Sequence, residues 1–442
     1  MDRKNVLRFF EEQKDFMEET VNKNIEKHRK GYGNIVITDD DGKCVANAKI
    51  IVKQKNHQFK YGANVFMLDE LETEEKNEIY KKRFAEAFNM ATVPFYWKDL
   101  EPEEGKPRYE KDSPKIYRRP ATDLCIEFCE QNGIEPREHA LAYMGWFPEW
   151  LSDRNDEEVK KAITKRYKEI SERYAEKIPT IEVTNEHWWV RNGRLPEFYF
   201  DDDSIKWCFE EAKKYFPNNQ LVINEAQGYI WDHETDRNSY YMLIKNEINK
   251  GAPIDAIGMQ YHMFHKREDE EKRTSLYGYY NPRHLYKVLD RFSEFNLPVQ
   301  LTEVTIPAYS NDKEDEEIQA DLIEKLYTIW FSYKNVEQIM YWNLVDGYAA
   351  FADQGDMTAG ENYYYGGLLR FDMSPKPAYY RIKDLFQKRW HTEAELLTDS
   401  DGKAAFKGFY GEYVVEITVG ERVVNKTIKL SHNDENIFNV KV

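Results

Sequence analysis

Two glutamates, Glu186 and Glu303, close apolar runs that lie far apart in the chain, TIEVTNE (180–186) and VQLTEVT (299–305). Other apolar runs also end in polar or amphipathic groups, at His139, Asn185, Glu225, Gln260, His262, Trp342 and Asp346. A carboxylate in an apolar setting is costly unless it is paired or functional. One such residue would mean little, but six runs ending this way form a constellation. When two carboxyls flank one bond, one can protonate the departing oxygen while the other attacks the carbon left behind. Cleavage of a glycosidic bond needs that pair. Glu186 then acts as acid/base and Glu303 as nucleophile, with Asn185 placed to hydrogen-bond a sugar 2-OH and with Gln260 and His262 orienting and charge-tuning the nucleophile. The competing reading is that each glutamate is held in an ion pair with a neighbouring Arg or Lys.

Residues so scattered need a scaffold that gathers run ends at one place. Eight candidate strands occur: 59–66, 90–97, 136–143, 180–186, 221–227, 256–262, 299–305 and 338–346. Helical patterns such as EEVKKAITKRYKEISERYAEK separate them. Eight strand–helix units predict an α/β fold, a (β/α)8 TIM barrel, whose C-terminal strand ends form the active face. The 442 residues exceed the ~250 of one barrel, so additional parts are expected. Residues 1–30 read as an amphipathic helix ending near Gly31 and Gly33. Residues 31–57 and 392–442 carry short period-2 strands and matching acidic turns, Asp39–Gly42 and Asp399–Gly402. They predict one small β-sandwich made from both segments, leaving 58–391 as the barrel. The turns lack the length and terminal Glu of a Ca²⁺ loop, so turn chemistry explains them.

Composition narrows the function classes. The formal charge of −17 disfavours nucleic acid and anionic membranes as partners. Four cysteines without CxxC spacing suggest idle thiols, and Cys125 and Cys129 share one helix face. His262 and His265 lack a third ligand in sequence, so no metal and no cofactor are expected. The charged N-terminus has no apolar signal core, which predicts a cytoplasmic protein, or a secreted one if a leader was removed. No run approaches the ~18 apolar residues of a membrane span.

Several ordered segments resemble glycoside hydrolase family 10, the xylanases. GAPIDAIGMQYHMF (251–264), LTEVTI (301–306), DLEPEEGKPRYE (99–110) and SPKPAYYRI (374–382) are similar to that family's segments, over about residues 60–390. The resemblance implies a retaining enzyme with Glu186 and Glu303 as the catalytic pair and Asn185, Gln260 and His262 beside them. It also implies that His139 contacts the sugar being cleaved and that Trp342 floors the same subsite. The family's Glu-Asn-Glu-Met-Lys-Trp reads Thr92-Val93-Pro94-Phe95-Tyr96-Trp97 here, so Tyr96 replaces a sugar-binding lysine. Tyr143-Met144 replace a Trp-containing stretch, and a second expected Trp falls at Ala350. Trp188 and Trp189, after the acid, suit stacking on the leaving-group sugar or packing of their loop. The tyrosines at 363–365 either roof the pocket or pack their loop.

The expected function is a xylanase-like β-glycoside hydrolase acting by double displacement on xylan-derived or related plant-wall oligosaccharides. The alternatives are a β-glycosidase for a non-xylan or decorated glycan, and a catalytically idle glycan-binding protein. The oligomeric state stays open.

Overall fold

The computed structural model describes residues 3–188, 196–432 and 434–442. Helical turns run from Arg3 to His28 and bury Val6, Phe10, Val21 and Ile25. They stop before β1 (Lys30–Thr38), so Gly31 and Gly33 are strand residues and do not end the helix. A Cβ at Gly33 would stand 2.5 Å from the Phe406 ring, which is why the strand carries glycine there. Strand β2 (Lys49–His57) follows.

The central region supplies β3 (Lys60–Asn64), β4 (Met90–Pro94), β5 (Glu135–His139), β6 (Ala142–Tyr143), β7 (Thr180–Asn185), β8 (Gln220–Glu225), β9 (Ala256–His262), β10 (Val299–Thr305) and β11 (Val336–Tyr341). All pair in parallel, and β11 pairs with β3 while β5 pairs with β7, which closes the sheet. Strands β5 and β6 share one position because the chain breaks between them and both pair with β7. Eight strand positions with intervening helices make a (β/α)8 barrel. The helices form for local reasons. In Asp156–Tyr174, Asn155 and Glu158 make a capping box, and Val159, Ile163, Tyr167, Ile170 and Tyr174 recur at helical spacing and are buried. Arg166 on that helix donates to the carbonyls of Phe95 and Leu141, pinning the end of β4 and the β5–β6 break.

The last strands are β12 (Glu393–Leu397), β13 (Lys403–Phe409), β14 (Gly411–Val419), β15 (Arg422–Leu430) and β16 (Ile437–Lys441). One sheet runs β13-β1-β16 and another β12-β2-β14-β15. Ile35, Ile37, Ile50, Val52, Phe406, Val415, Ile417 and Leu430 fill the space between them. The two acidic turns share one geometry. Asp39 Oδ1 accepts from the amides of Asp41 and Lys43, and Asp399 Oδ1 accepts from those of Asp401 and Lys403. Cys44, Cys125, Cys129 and Cys208 are free thiols.

Candidate active site

Glu186 follows β7 with φ at +52°, a left-handed conformation that costs a non-glycine residue free energy and aims its carboxylate over the barrel mouth. Glu303 sits within β10 and is 2% exposed. The side-chain amide of Gln260, on β9 between them, reaches both: Nε2 lies 2.9 Å from Glu186 Oε1 and 3.1 Å from Glu303 Oε1. The two carboxylate oxygens therefore lie no farther apart than those bonds laid end to end. That suits the ~5–5.5 Å spacing of a nucleophile–acid pair better than the ~6.5–9.5 Å that leaves room for a water.

Glu303 is the better supplied with donors. Besides Gln260, Asn224 Nδ2 donates at 3.1 Å and His262 Nε2 lies 3.1 Å from Oε2. Burial holds His262 down to about 4, so the ring is neutral. Its Nε2–H then donates to Glu303, and Nδ1 accepts from Thr305 Oγ1 at 2.9 Å. Burial pushes the Glu303 carboxyl well above the usual carboxylate range, His139 opposes, and Glu186 and Glu182 add to the rise. Two carboxyls this close, one of them buried, disfavour double ionisation, and the three donors favour the charge on Glu303. At Glu186, Tyr143 Oη donates to Oε2 at 2.6 Å.

Below the pair lies a charged layer. Glu182 on β7 accepts from Arg137 at 2.6 Å and from His139 Nδ1 at 2.9 Å. Burial works against its ionised form, but His139 and Arg137 outweigh it and hold the carboxyl below its ordinary range. Burial likewise works against charging His139, but Glu182 and Glu303 prevail and raise it. The His139 imidazolium therefore donates at both nitrogens, to Glu182 and, across 3.0 Å, to the hydroxyl oxygen of Tyr96. His139, Glu182 and Glu303 offer ligand atoms within 4.8 Å of one another. Each is already engaged by protein groups, so the trio is a hydrogen-bond network.

The remaining site residues fall into place around this centre. Asn185 Oδ1 accepts from Asn224 and Gln260, while its Nδ2 is buried without a partner and is the donor left for a ligand hydroxyl. Trp342, 7% exposed, meets Phe66, His139 and His262 edge-on. Tyr96 is clasped between Phe66 and the Arg119 guanidinium, which lies 3.8 Å over its ring. Thr92 is buried with an unpartnered hydroxyl, and Val93 packs into the apolar core. His262 stacks on Phe264, and Tyr364 leans on Phe264 to roof that side. Trp188 is 47% exposed beside Tyr229, whereas Trp189 lies outside the described residues. Asp346 is paired with buried Lys376 at 2.5 Å and accepts from the Gly367 amide at 2.7 Å.

Sequence reasoning passes over Asn224, Glu182 and Arg119. Asn224 Nδ2 touches Glu182, Asn185 and Glu303 at once. The strand opposite must be bare for this, and Gly258 is its neighbour: a Cβ there would stand 2.6 Å from Asn224 Oδ1. Glu225, at the end of its strand, accepts the main-chain amides of Ala226 at 2.9 Å and Trp188 at 3.1 Å. Burial pushes its carboxyl up to about 8.

Comparison with known proteins agrees with this geometry. The family model described as Glycosyl hydrolase family 10 matches residues 52–385. The chain is 25% identical over 424 residues to the Anti-sigma-I factor RsgI6 of Acetivibrio thermocellus, covering 93% of this chain and 48% of that protein. It is 22% identical over 382 residues to Endo-1,4-beta-xylanase 2 of Arabidopsis thaliana, covering 85% of this chain and 31% of that one. The chain thus spans less than half the length of either curated relative. The crystal structure of native xylanase 10B from Thermotoga maritima superposes with a TM-score of 0.58 at 23% identity, over 75% of this chain and 96% of that one, a likeness of fold.

Proposed function

The chain belongs to glycosyl hydrolase family 10, and from that premise we propose that it is a retaining β-glycoside hydrolase acting by double displacement. The observation that carries this reading is the single Gln260 amide bonded to both glutamates, which holds them too close for an intervening water. Glu303, ionised and steadied by Asn224, Gln260 and His262, attacks the anomeric carbon. Glu186 gives its proton to the leaving oxygen and then takes one from the water that releases the glycosyl–enzyme ester. Asn185 Nδ2 meets the 2-OH of the sugar, a contact that tightens as the ring flattens. Trp342 supplies the apolar floor.

For the substrate we propose a short or substituted β-linked oligosaccharide from xylan or a related plant-wall glycan. Support comes from the donor side, where Tyr96, Arg119 and Phe66 close together against one another. The test is NMR observation of the first product from an aryl β-glycoside. Retention of the β-anomer is expected, and an inverted first product removes the double-displacement reading. No turnover of any activated β-glycoside favours a glycan-binding protein instead.

A further inference from the structure

Beyond Tyr96, on the donor side, lies a groove of about 520 Å³, a volume within the range of small-ligand sites. Arg119 and Trp146 line it and also pack on Tyr96. The guanidinium lies 3.8 Å over the tyrosine ring and 4.8 Å over the indole, and the two rings are 5.0 Å apart. The groove is therefore an extension of the donor side. Two loops form it, one carrying Tyr117 and Arg118 and the other following β11. Arg118 and Phe351 both hold left-handed backbones, at φ +62° and +61°, a conformation that costs a non-glycine residue free energy. Arg118 ties the loops together. It donates to Asn343 Oδ1 at 3.3 Å and to the Tyr348 carbonyl, and Asn343 Nδ2 donates to Glu361 at 2.8 Å. The walls are thus held in place by the protein itself.

The lining has two characters. Tyr117, Trp146 and Phe351 bring aromatic rings, and Phe351 is 79% exposed. Ala350, Ala352 and Ala359 leave the space before those rings open. Three carboxylates, Asp99, Asp353 and Asp356, stand against the two guanidiniums of Arg118 and Arg119. Arg119 is paired with Asp99 at 2.8 Å, which leaves Asp353 and Asp356 to face a ligand. The C–H face of a sugar ring rests well on an aromatic ring, and its hydroxyls donate to carboxylates. An acidic sugar would meet like charge. We propose that this groove binds a neutral glycosyl branch carried on the donor side of the substrate. This rests on the hydrolase reading above and names the substituent that the reading leaves open.

The test compares xylotetraose, xylotetraose with one arabinofuranosyl branch, and xylotetraose with one glucuronosyl branch. Turnover is measured as kcat/KM, and binding by isothermal titration of the full chain carrying Glu303→Ala. The arabinofuranosyl-branched compound is expected to bind and to turn over at least tenfold better than the other two. Phe351→Ala removes an exposed ring without touching the core, and Ala350→Trp fills the groove. Each should cut that preference tenfold or abolish it, with circular dichroism confirming the fold. Preferential binding of the neutral branch without any turnover supports the groove and overturns the hydrolase reading alone. Equal handling of the unbranched compound overturns the groove alone, provided that it is turned over. Preference for the glucuronosyl branch, binding of none of the three, or a preference that both variants leave intact also overturns the proposal.

Discussion

The hydroxyl of Tyr96 lies 3.0 Å from Nε2 of His139, at the place where the xylanase pattern directs that histidine toward a sugar. With the imidazolium donating to the phenol oxygen, the hydroxyl hydrogen of Tyr96 is what remains to offer a ligand. Arg119, stacked on the ring, keeps the tyrosine from swinging aside.

This arrangement should set specificity. A linear xylan chain loses the carboxylate, amide and ammonium contacts for which Thr92, Val93 and Tyr96 stand, each unmet group costing ~1–3 kcal/mol. Its kcat/KM should fall well over tenfold below that of a short or substituted β-glycoside. Measurement across linear xylan, xylo-oligosaccharides and other β-linked oligosaccharides decides the matter. Efficient cleavage of long linear xylan would show that these positions do not select the substrate.

Glu186→Ala should separate substrates by leaving group. General acid catalysis contributes about 10²–10⁴-fold, and activated aryl glycosides need little of it. Rates on unactivated oligosaccharides should therefore collapse while those on a dinitrophenyl glycoside fall much less. Equal losses on both would take Glu186 out of the acid role.

Gly258→Ala should act on the glutamates from a distance. The new Cβ collides with Asn224, whose amide serves Glu182, Asn185 and Glu303 together. At least a tenfold loss of kcat and a lower melting temperature are expected, since a displaced buried amide leaves several acceptors unmet. Wild-type kcat in this variant would show that Asn224 is not needed where it stands.

Glu225 gives a pH signature. Its folded carboxyl is raised to about 8, so the folded state keeps a proton that the unfolded chain loses near the ordinary carboxylate range. This contribution to stability is full at low pH and disappears as pH climbs toward 8. Glu225→Gln, always neutral, should make stability less sensitive over that window, with its advantage over wild type growing as pH rises. Denaturant unfolding at several pH values measures it, and parallel curves for the two proteins would refute the assignment.

Much of the site was legible because function here leaves polar residues at the ends of apolar strands. Asn185, Glu186, Gln260, His262 and Glu303 announce themselves in that way, and the structure gathers them around one amide. Glu182 and Asn224 lie inside TIEVTNE and LVINEAQ, where a polar residue on the inward face looks like any alternating strand position. Arg119 comes from the irregular stretch before the helix Thr122–Asn132, which has no period from which to infer a contact with Tyr96. The roles of His139 and Glu225 needed partners as well as positions. A histidine with both nitrogens engaged by protein groups and a glutamate that holds main-chain amides cannot be told from sequence.

The pairing of the terminal strands fixes the order in which the molecule is completed. Strand β1 finds its neighbours only in β13 and β16, about 400 residues later for the Asn34–Ile437 pair. During synthesis Ile35, Ile37, Ile50 and Val52 emerge ahead of the barrel and then wait, unsheltered, while the whole barrel is made. Strands made before the barrel are therefore buried only after it, and the growing chain carries a sticky apolar hairpin-length segment for as long as the barrel takes to be made.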